Sequence, residues 1–98
     1  MESLFVYGTL QDPQVQSAVF GRVVEGTPDT VIGYRKSQIT IDNVVHAIAV
    51  ADSVRTLAGL VIEVTPEELV EIDRYEGSDY QRVQVRTRNG RLAWMYSE

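Results

Sequence analysis

The sequence predicts an α+β fold, a small mixed β-sheet curled into a barrel with two short flanking helices. Three observations carry that expectation. Segments rich in β-branched residues recur along the chain and are punctuated by Gly, Pro and Asn. Two helix-start signals, Asp12-Pro13 and Thr65-Pro66, stand far apart between them. Near the end, Asn89-Gly90 separates two alternating segments in the manner of a β-hairpin.

Taken in order, Leu4-Phe5-Val6-Tyr7 is apolar on both alternating faces, as a strand buried on two sides would be. Gly8 ends it. Asp12 reads as an N-cap and Pro13 as the first helical residue, with Val15, Ala18 and Val19 as a short apolar stripe and Gly21 closing the helix. Strand-like pieces follow at Arg22–Glu25, Thr30–Tyr34, Val44–Val50 and Leu57–Val64, separated by Gly26, Pro28, Gly33, Asn43 and Asp52-Ser53. Thr65-Pro66-Glu67-Glu68 then has the form of a capping box, in which the cap hydroxyl and the Glu three residues later satisfy each other's backbone N–H groups. That helix should reach Tyr75 or Glu76, with Gly77 as a left-handed stop. For the final hairpin, a two-residue Asn89-Gly90 loop pairs Arg88 with Arg91, Val85 with Trp94 and Val83 with Tyr96. Arg82, Gln84 and Arg86 then lie on the polar face. Five to seven strands are expected in all, within one domain spanning residues 1–98.

Composition narrows the function classes. The chain has 98 residues, of which 44% are hydrophobic and 23% charged, inside the globular range. Its net charge of -5 speaks against nucleic acid, which needs a clustered basic surface. The absence of cysteine removes disulfides, thiol nucleophiles and thiolate metal sites, and suits a reducing compartment. No apolar run approaches the ~20 residues of a membrane span, and no secretory leader is visible. A cytoplasmic protein without a membrane association is the expectation.

Helical phase singles out Glu76. At about 100° per residue from Leu69, Ile72 falls at about 300° and Glu76 at about 340°, while Glu67, Glu71 and Arg74 gather at about 140–200°. Glu76 thus points towards the buried side. Desolvation and the negative end of the helix dipole would both raise its pKa, as suits a general acid or base near neutral pH. Phase equally allows Glu76 to swing past a fraying last turn into solvent. Asp73, at about 40°, is a rival inward-facing carboxylate. The Gly8-Thr9 turn, between a buried strand and a helix start, is either a plain connection or a cradle aiming backbone N–H groups at an anion. His46, the only histidine, reads as structural, Trp94, Tyr96 and Tyr80 as mostly core, and Arg82 as an exposed strand residue.

Two segments together resemble the γ-glutamylcyclotransferase-like family, which includes AIG2-like proteins and γ-glutamylamine cyclotransferases. Leu4-Phe5-Val6-Tyr7-Gly8-Thr9-Leu10 is similar to its N-terminal Tyr-Gly-Ser/Thr-Leu signature. Leu69 to Arg82 is similar to its helix ending in Asp-x-x-Glu-Gly followed by Tyr-x-Arg. Gly59–Val64 and Ala93–Tyr96 look like the strands beside that helix. The resemblance implies the family's fold and the release of 5-oxoproline from a small-molecule γ-glutamyl substrate, without a cofactor or metal. It implies Glu76 as the catalytic acid/base, with Tyr7, Gly8, Thr9, Leu10 and Tyr80 binding substrate. It departs from the family at Ile41–Ala47, which lacks a Gly-x-Tyr-Pro-like turn, and in ending two residues after Tyr96, where many relatives continue over the pocket. Both departures bear on the leaving-group wall. The same fold used as a non-catalytic small-ligand-binding module is the alternative, and a structural subunit pairing through a strand edge is a third reading.

Overall fold

The computed structural model of the chain describes residues Met1–Glu98. Its strands are β1 (Glu2–Val6), β2 (Thr27–Ile41), β3 (Val44–Val64), β4 (Gln81–Arg86) and β5 (Leu92–Ser97), and its helices are α1 (Pro13–Phe20) and α2 (Pro66–Glu76). Short 3-10 turns occupy Thr9–Gln11 and Gly77–Asp79. The strands form one mixed sheet in the order β2-β3-β1-β5-β4. β1 runs antiparallel to β3 and parallel to β5. The sheet curls until its edges meet, where Val31 pairs with Thr87 and the Arg88 N–H donates to the Thr30 carbonyl at 2.7 Å.

β1 is the centre of the molecule. Its alternating side chains enter two apolar clusters, as a strand buried on both faces requires. Phe5 and Tyr7 point into the curl with Val31, Ala49, Leu57, Val61, Val85, Ala93 and Met95. Leu4 and Val6 point to the helices with Leu10, Ile62, Val64, Leu69, Ile72 and Tyr96. Gly59 of β3 lets the two strands approach, since any Cβ there would collide with the Val6 carbonyl and the Phe5 ring.

Helix α2 starts as its sequence dictates. Thr65 Oγ1 accepts from the Glu68 N–H at 3.1 Å, and Glu68 accepts from the Thr65 N–H at 2.8 Å, completing the capping box. Glu68 also holds Arg22 at 2.6 Å, and the Arg22 guanidinium draws its carboxyl below the usual range. Leu69 and Ile72 are buried, while Glu67, Glu71 and Arg74 face solvent. Gly77 ends the helix at φ 71° and ψ -165°, a positive φ but not the left-handed helical stop expected. In α1, Asp12 caps through the Gln14 N–H and Gly21 takes the left-handed conformation. Its stripe differs from expectation, because Ala18 is exposed and the buried residue is Gln16. The Gln16 amide donates to the Leu10 carbonyl at 2.8 Å and accepts from the Val24 N–H at 2.9 Å, so both its polar ends are satisfied inside.

Three strand expectations are corrected. Arg22–Glu25 is irregular, because its polar requirements are met by Gln16 and Glu68 rather than by a ladder. Val44–Val50 and Leu57–Val64 are one strand, β3, within which the Asp52-Ser53 region is a bulge. The pairing with β2 jumps from Ile32–Thr56 to Tyr34–Ala51, opposite Gly33 at φ 92°. The last hairpin is shifted by one residue, pairing Val85 with Ala93, Val83 with Met95 and Arg82 with Tyr96. Its loop has three residues, Arg88-Asn89-Gly90, closed by a hydrogen bond from the Arg91 N–H to Thr87 Oγ1 and from the Thr87 N–H to the Arg91 carbonyl. Only Gly90 has positive φ there. Buried Asp29 fixes the loop from outside, accepting from the Asn89 N–H at 3.3 Å. The two-residue turn with both central residues at positive φ is instead Asp42-Asn43, between Ile41 and Val44.

Candidate active site

The end of β1, the turn after it, the end of α2 and the β2–β3 hairpin enclose a cavity of about 360 Å³. Tyr7, Gly8, Thr9, Leu10, Glu76 and Tyr80, the site residues expected from sequence, all line it. Ile41, His46, Ala47, Tyr75, Asp79 and Tyr96 complete much of the wall, and no Lys or Arg does. His46 therefore stands half-buried on the cavity wall rather than serving packing alone.

Tyr7 is set by its strand. Its ring is buried, and beside the pairing of Ala49 with Ser97 its hydroxyl donates to the Tyr96 carbonyl and accepts from the Ala49 N–H at 2.9 Å. Burial drives its pKa well above the ordinary phenol value. Gly8 opens the 3-10 turn, and its carbonyl accepts from the Gln11 N–H at 3.1 Å. The first N–H groups of any helical turn have no partner within it, so this turn presents donors beside the cavity. At its mouth, Thr9 Oγ1 and the Tyr75 hydroxyl share a hydrogen bond of 3.1 Å.

Glu76 is the last residue of α2 and half-buried. Burial alone pushes its carboxyl from the ordinary 4.5 up to about 7, with no cation or hydrogen-bond donor to offset it. Tyr80, from the stretch after the helix, donates to the Ala47 carbonyl at 2.7 Å, and burial lifts its pKa to about 12.

Asp73, the rival carboxylate, has another occupation. Its Oδ1 accepts from the Tyr96 hydroxyl at 2.6 Å and forms an ion pair with Arg82 Nε at 3.0 Å. The Arg82 guanidinium lies 4.4 Å from the centre of the Trp94 ring, and the Trp94 indole N–H donates to Glu2 at 3.0 Å. The one-residue shift of the hairpin is what turns Trp94 and Tyr96 to the helix side with Arg82. A three-residue loop ending in a left-handed Gly, the other common reading of Asn89-Gly90, was the sequence signal that could have found this.

The pattern of the family described as Gamma-glutamyl cyclotransferase, AIG2-like matches residues 4–97. The chain belongs to this family. Within it, AIG2-like protein A of Arabidopsis thaliana is 28% identical over 85 residues, covering 87% of this chain and 51% of that protein. Protein AIG2 C of the same plant is 29% identical over 83 residues, covering 85% and 50%. The chain thus spans about half the length of these curated relatives. Among solved structures, an Arabidopsis thaliana protein determined in solution superposes with a TM-score of 0.84 at 27% identity, covering 98% of this chain and 67% of that one. A protein named Gamma-glutamyl cyclotransferase gives 0.78 at 14% identity, covering 98% and 65%. An AIG2-like protein of Mus musculus gives 0.72 at 17% identity, covering 100% and 77%. At such identities the last two establish the shared γ-glutamyl cyclotransferase fold. No helix of this family member is long and apolar enough to cross a membrane.

Proposed function

We propose that the chain is a cyclotransferase that releases 5-oxoproline from a γ-glutamyl amine or γ-glutamyl amino acid. The observation that carries this reading is the Glu76 carboxyl, half-buried without a partner in the cavity and pushed up to about 7. The substrate's α-amine attacks its own γ-carbonyl carbon, closing a five-membered lactam. The C–N bond to the leaving amine then breaks. An α-amine has a pKa of about 7.7–8.0 and is mostly protonated at neutral pH, so it must first lose a proton. The departing amine must gain one. A carboxyl near 7 serves both steps, as base and then as acid.

Nucleophile and electrophile share one molecule, so holding the folded conformer is itself much of the work. The Gly8, Thr9 and Leu10 N–H groups would bind the glutamyl carboxylate or the developing oxyanion. Tyr7 and Tyr80 would shape the floor. Ile41, His46 and Ala47 would face the leaving group. A cytoplasmic address fits a chain without cysteine.

The test is a panel of γ-glutamyl amines and dipeptides, with 5-oxoproline release followed by chromatography. Release from at least one class is expected, with loss in Glu76→Gln. Tight binding of a panel member without turnover would instead support the non-catalytic binding module.

A further inference from the structure

Four tyrosines line the cavity with Glu76: Tyr7, Tyr75, Tyr80 and Tyr96. A phenol has one proton to donate, and a carboxylate is a strong acceptor. Glu76 nevertheless receives none. The proton of Tyr7 goes to the Tyr96 carbonyl and that of Tyr80 to the Ala47 carbonyl. The proton of Tyr96 goes to Asp73 Oδ1 at 2.6 Å. Tyr75 is engaged at the exposed mouth with Thr9. The first two acceptors are main-chain carbonyls fixed by the sheet. The third is a side chain, and therefore the replaceable part of the arrangement.

We propose that Asp73 is a positioning residue that takes the Tyr96 hydroxyl proton and so keeps that donor from the Glu76 carboxyl. Arg82 holds Asp73 in place by an ion pair, its Nε 3.0 Å from the same Oδ1 while its guanidinium is anchored over Trp94 at 4.4 Å. Deprived of Asp73, the Tyr96 hydroxyl would turn to the unpartnered carboxyl one turn further along α2. A hydrogen bond to the charged form lowers a carboxyl's pKa, so the acid/base group would lose its neutral-range titration. The charge on Glu76 already acts on Tyr7, Tyr80 and Tyr96. The remaining titratable side chains at the cavity are His46 from β3 and Asp79 after α2, with Arg82 of β4 behind Asp73.

The experiment is titration of the Glu76 side-chain carboxyl by 13C NMR, which needs no catalysis. Asp73→Ala should lower the Glu76 midpoint by about one pH unit, the scale of one added hydrogen bond to a carboxylate. Asp73→Asn keeps an oxygen acceptor for Tyr96 and should titrate close to the unsubstituted protein. Adding Tyr96→Phe to Asp73→Ala should return the midpoint most of the way. Equal falls in the Ala and Asn variants would mean that charge alone acts and would overturn the proposal, as would a double variant that stays low. Should the Ala variant not fold, the unsubstituted protein decides through the Tyr96 Cζ resonance. Its larger step should accompany protonation of Asp73, the direct hydrogen-bond acceptor, and the smaller one that of Glu76, and the reverse order overturns the proposal. The consequence for turnover rests on the cyclotransferase reading, and the acid limb of kcat/KM should move with the midpoint. A chain that releases no 5-oxoproline yet titrates as described sinks that reading and leaves this one standing.

Discussion

Asp73 and Glu76 leave the same helix within one turn, and their surroundings could hardly differ more. Asp73 touches a guanidinium and a phenol proton, with the guanidinium seated on an indole. Glu76 touches neither a cation nor a donor, and burial raises its pKa to about 7. The same functional group is held by partners at one position and left without any three residues further on. Residue type therefore says little about which carboxylate works. What decides is where β5 and β4 deliver the Tyr96 hydroxyl and the Arg82 guanidinium, and both go to Asp73.

The largest effect expected from breaking this contrast is on turnover. Glu76→Gln keeps the shape and removes the titrating proton, so 5-oxoproline release should fall by about 10²–10⁴, the usual worth of general acid/base catalysis. The acid limb of the pH–rate profile, expected near pH 7, should vanish with it. Equal rates in the variant, measured by the same chromatographic assay, would remove Glu76 from the chemistry.

The second effect is on stability, and its sign is opposite to that of a salt-bridged carboxylate. The folded pKa of about 7 lies above the ordinary 4.5, so between those values the folded state holds more protons than the unfolded state. Stability should therefore decline as pH rises from 4.5 to 7 and level off above. Full ionisation of Glu76 costs up to about 3 kcal/mol by this linkage. Urea unfolding at pH 5 and pH 8 should show that Glu76→Gln removes most of the decline and is the more stable protein at pH 8. A decline of the same size in the variant would place the titrating group elsewhere.

What sequence could disclose follows the same division. Helix α2 was legible from Thr65 to Glu76 because its start depends on residues three apart and its phase on residues three and four apart. The inward aim of Glu76 came from that phase, though phase alone left a solvated alternative open. The partner of Asp73 was not legible, since Arg82 and Tyr96 reach it only through the register of β4 on β5. That register turned on whether Asn89-Gly90 makes a two- or three-residue loop. The buried Asp29 carboxyl, from the far edge of the sheet, holds the longer form by accepting the Asn89 N–H. Conversely, Asp42-Asn43 makes the two-residue turn without any glycine. The convergence of four tyrosines on one cavity needed three strand pairings to be known together. The fusion of two expected strands into β3 was hidden because Asp52-Ser53 reads as a stop, whereas it is absorbed as a bulge opposite Gly33.

Gly77 stops α2 immediately after Glu76. At φ 71° and ψ -165° it occupies a conformation open almost only to glycine, while an added Cβ would meet nothing within 4 Å. Gly77→Ala should thus cost about 1–3 kcal/mol of stability from backbone strain alone. Urea unfolding checks the figure. A cost below about 0.5 kcal/mol, the range of ordinary surface substitutions, would show that the helix end relaxes freely.

The smallest effect tests the Asp73 side. Arg82 and Asp73 are each about a third exposed, so their ion pair belongs to the weak, screened class worth up to about 1 kcal/mol. The guanidinium over Trp94 adds about 0.5–1 kcal/mol at such a site. Arg82→Ala should therefore destabilise by about 1–2 kcal/mol. Part of that loss should disappear at 1 M salt, where the Debye length is about 3 Å and the exposed pair is screened, while the contact with the indole persists. Arg82→Lys separates the two contributions, since it keeps the charge but loses the planar stack. If Arg82→Lys matches the parent protein in unfolding at both low and high salt, the planar stack on the indole contributes nothing beyond what any cation there supplies. Asp73 would then be held by charge alone, and the contrast with Glu76 would reduce to the presence or absence of one cation.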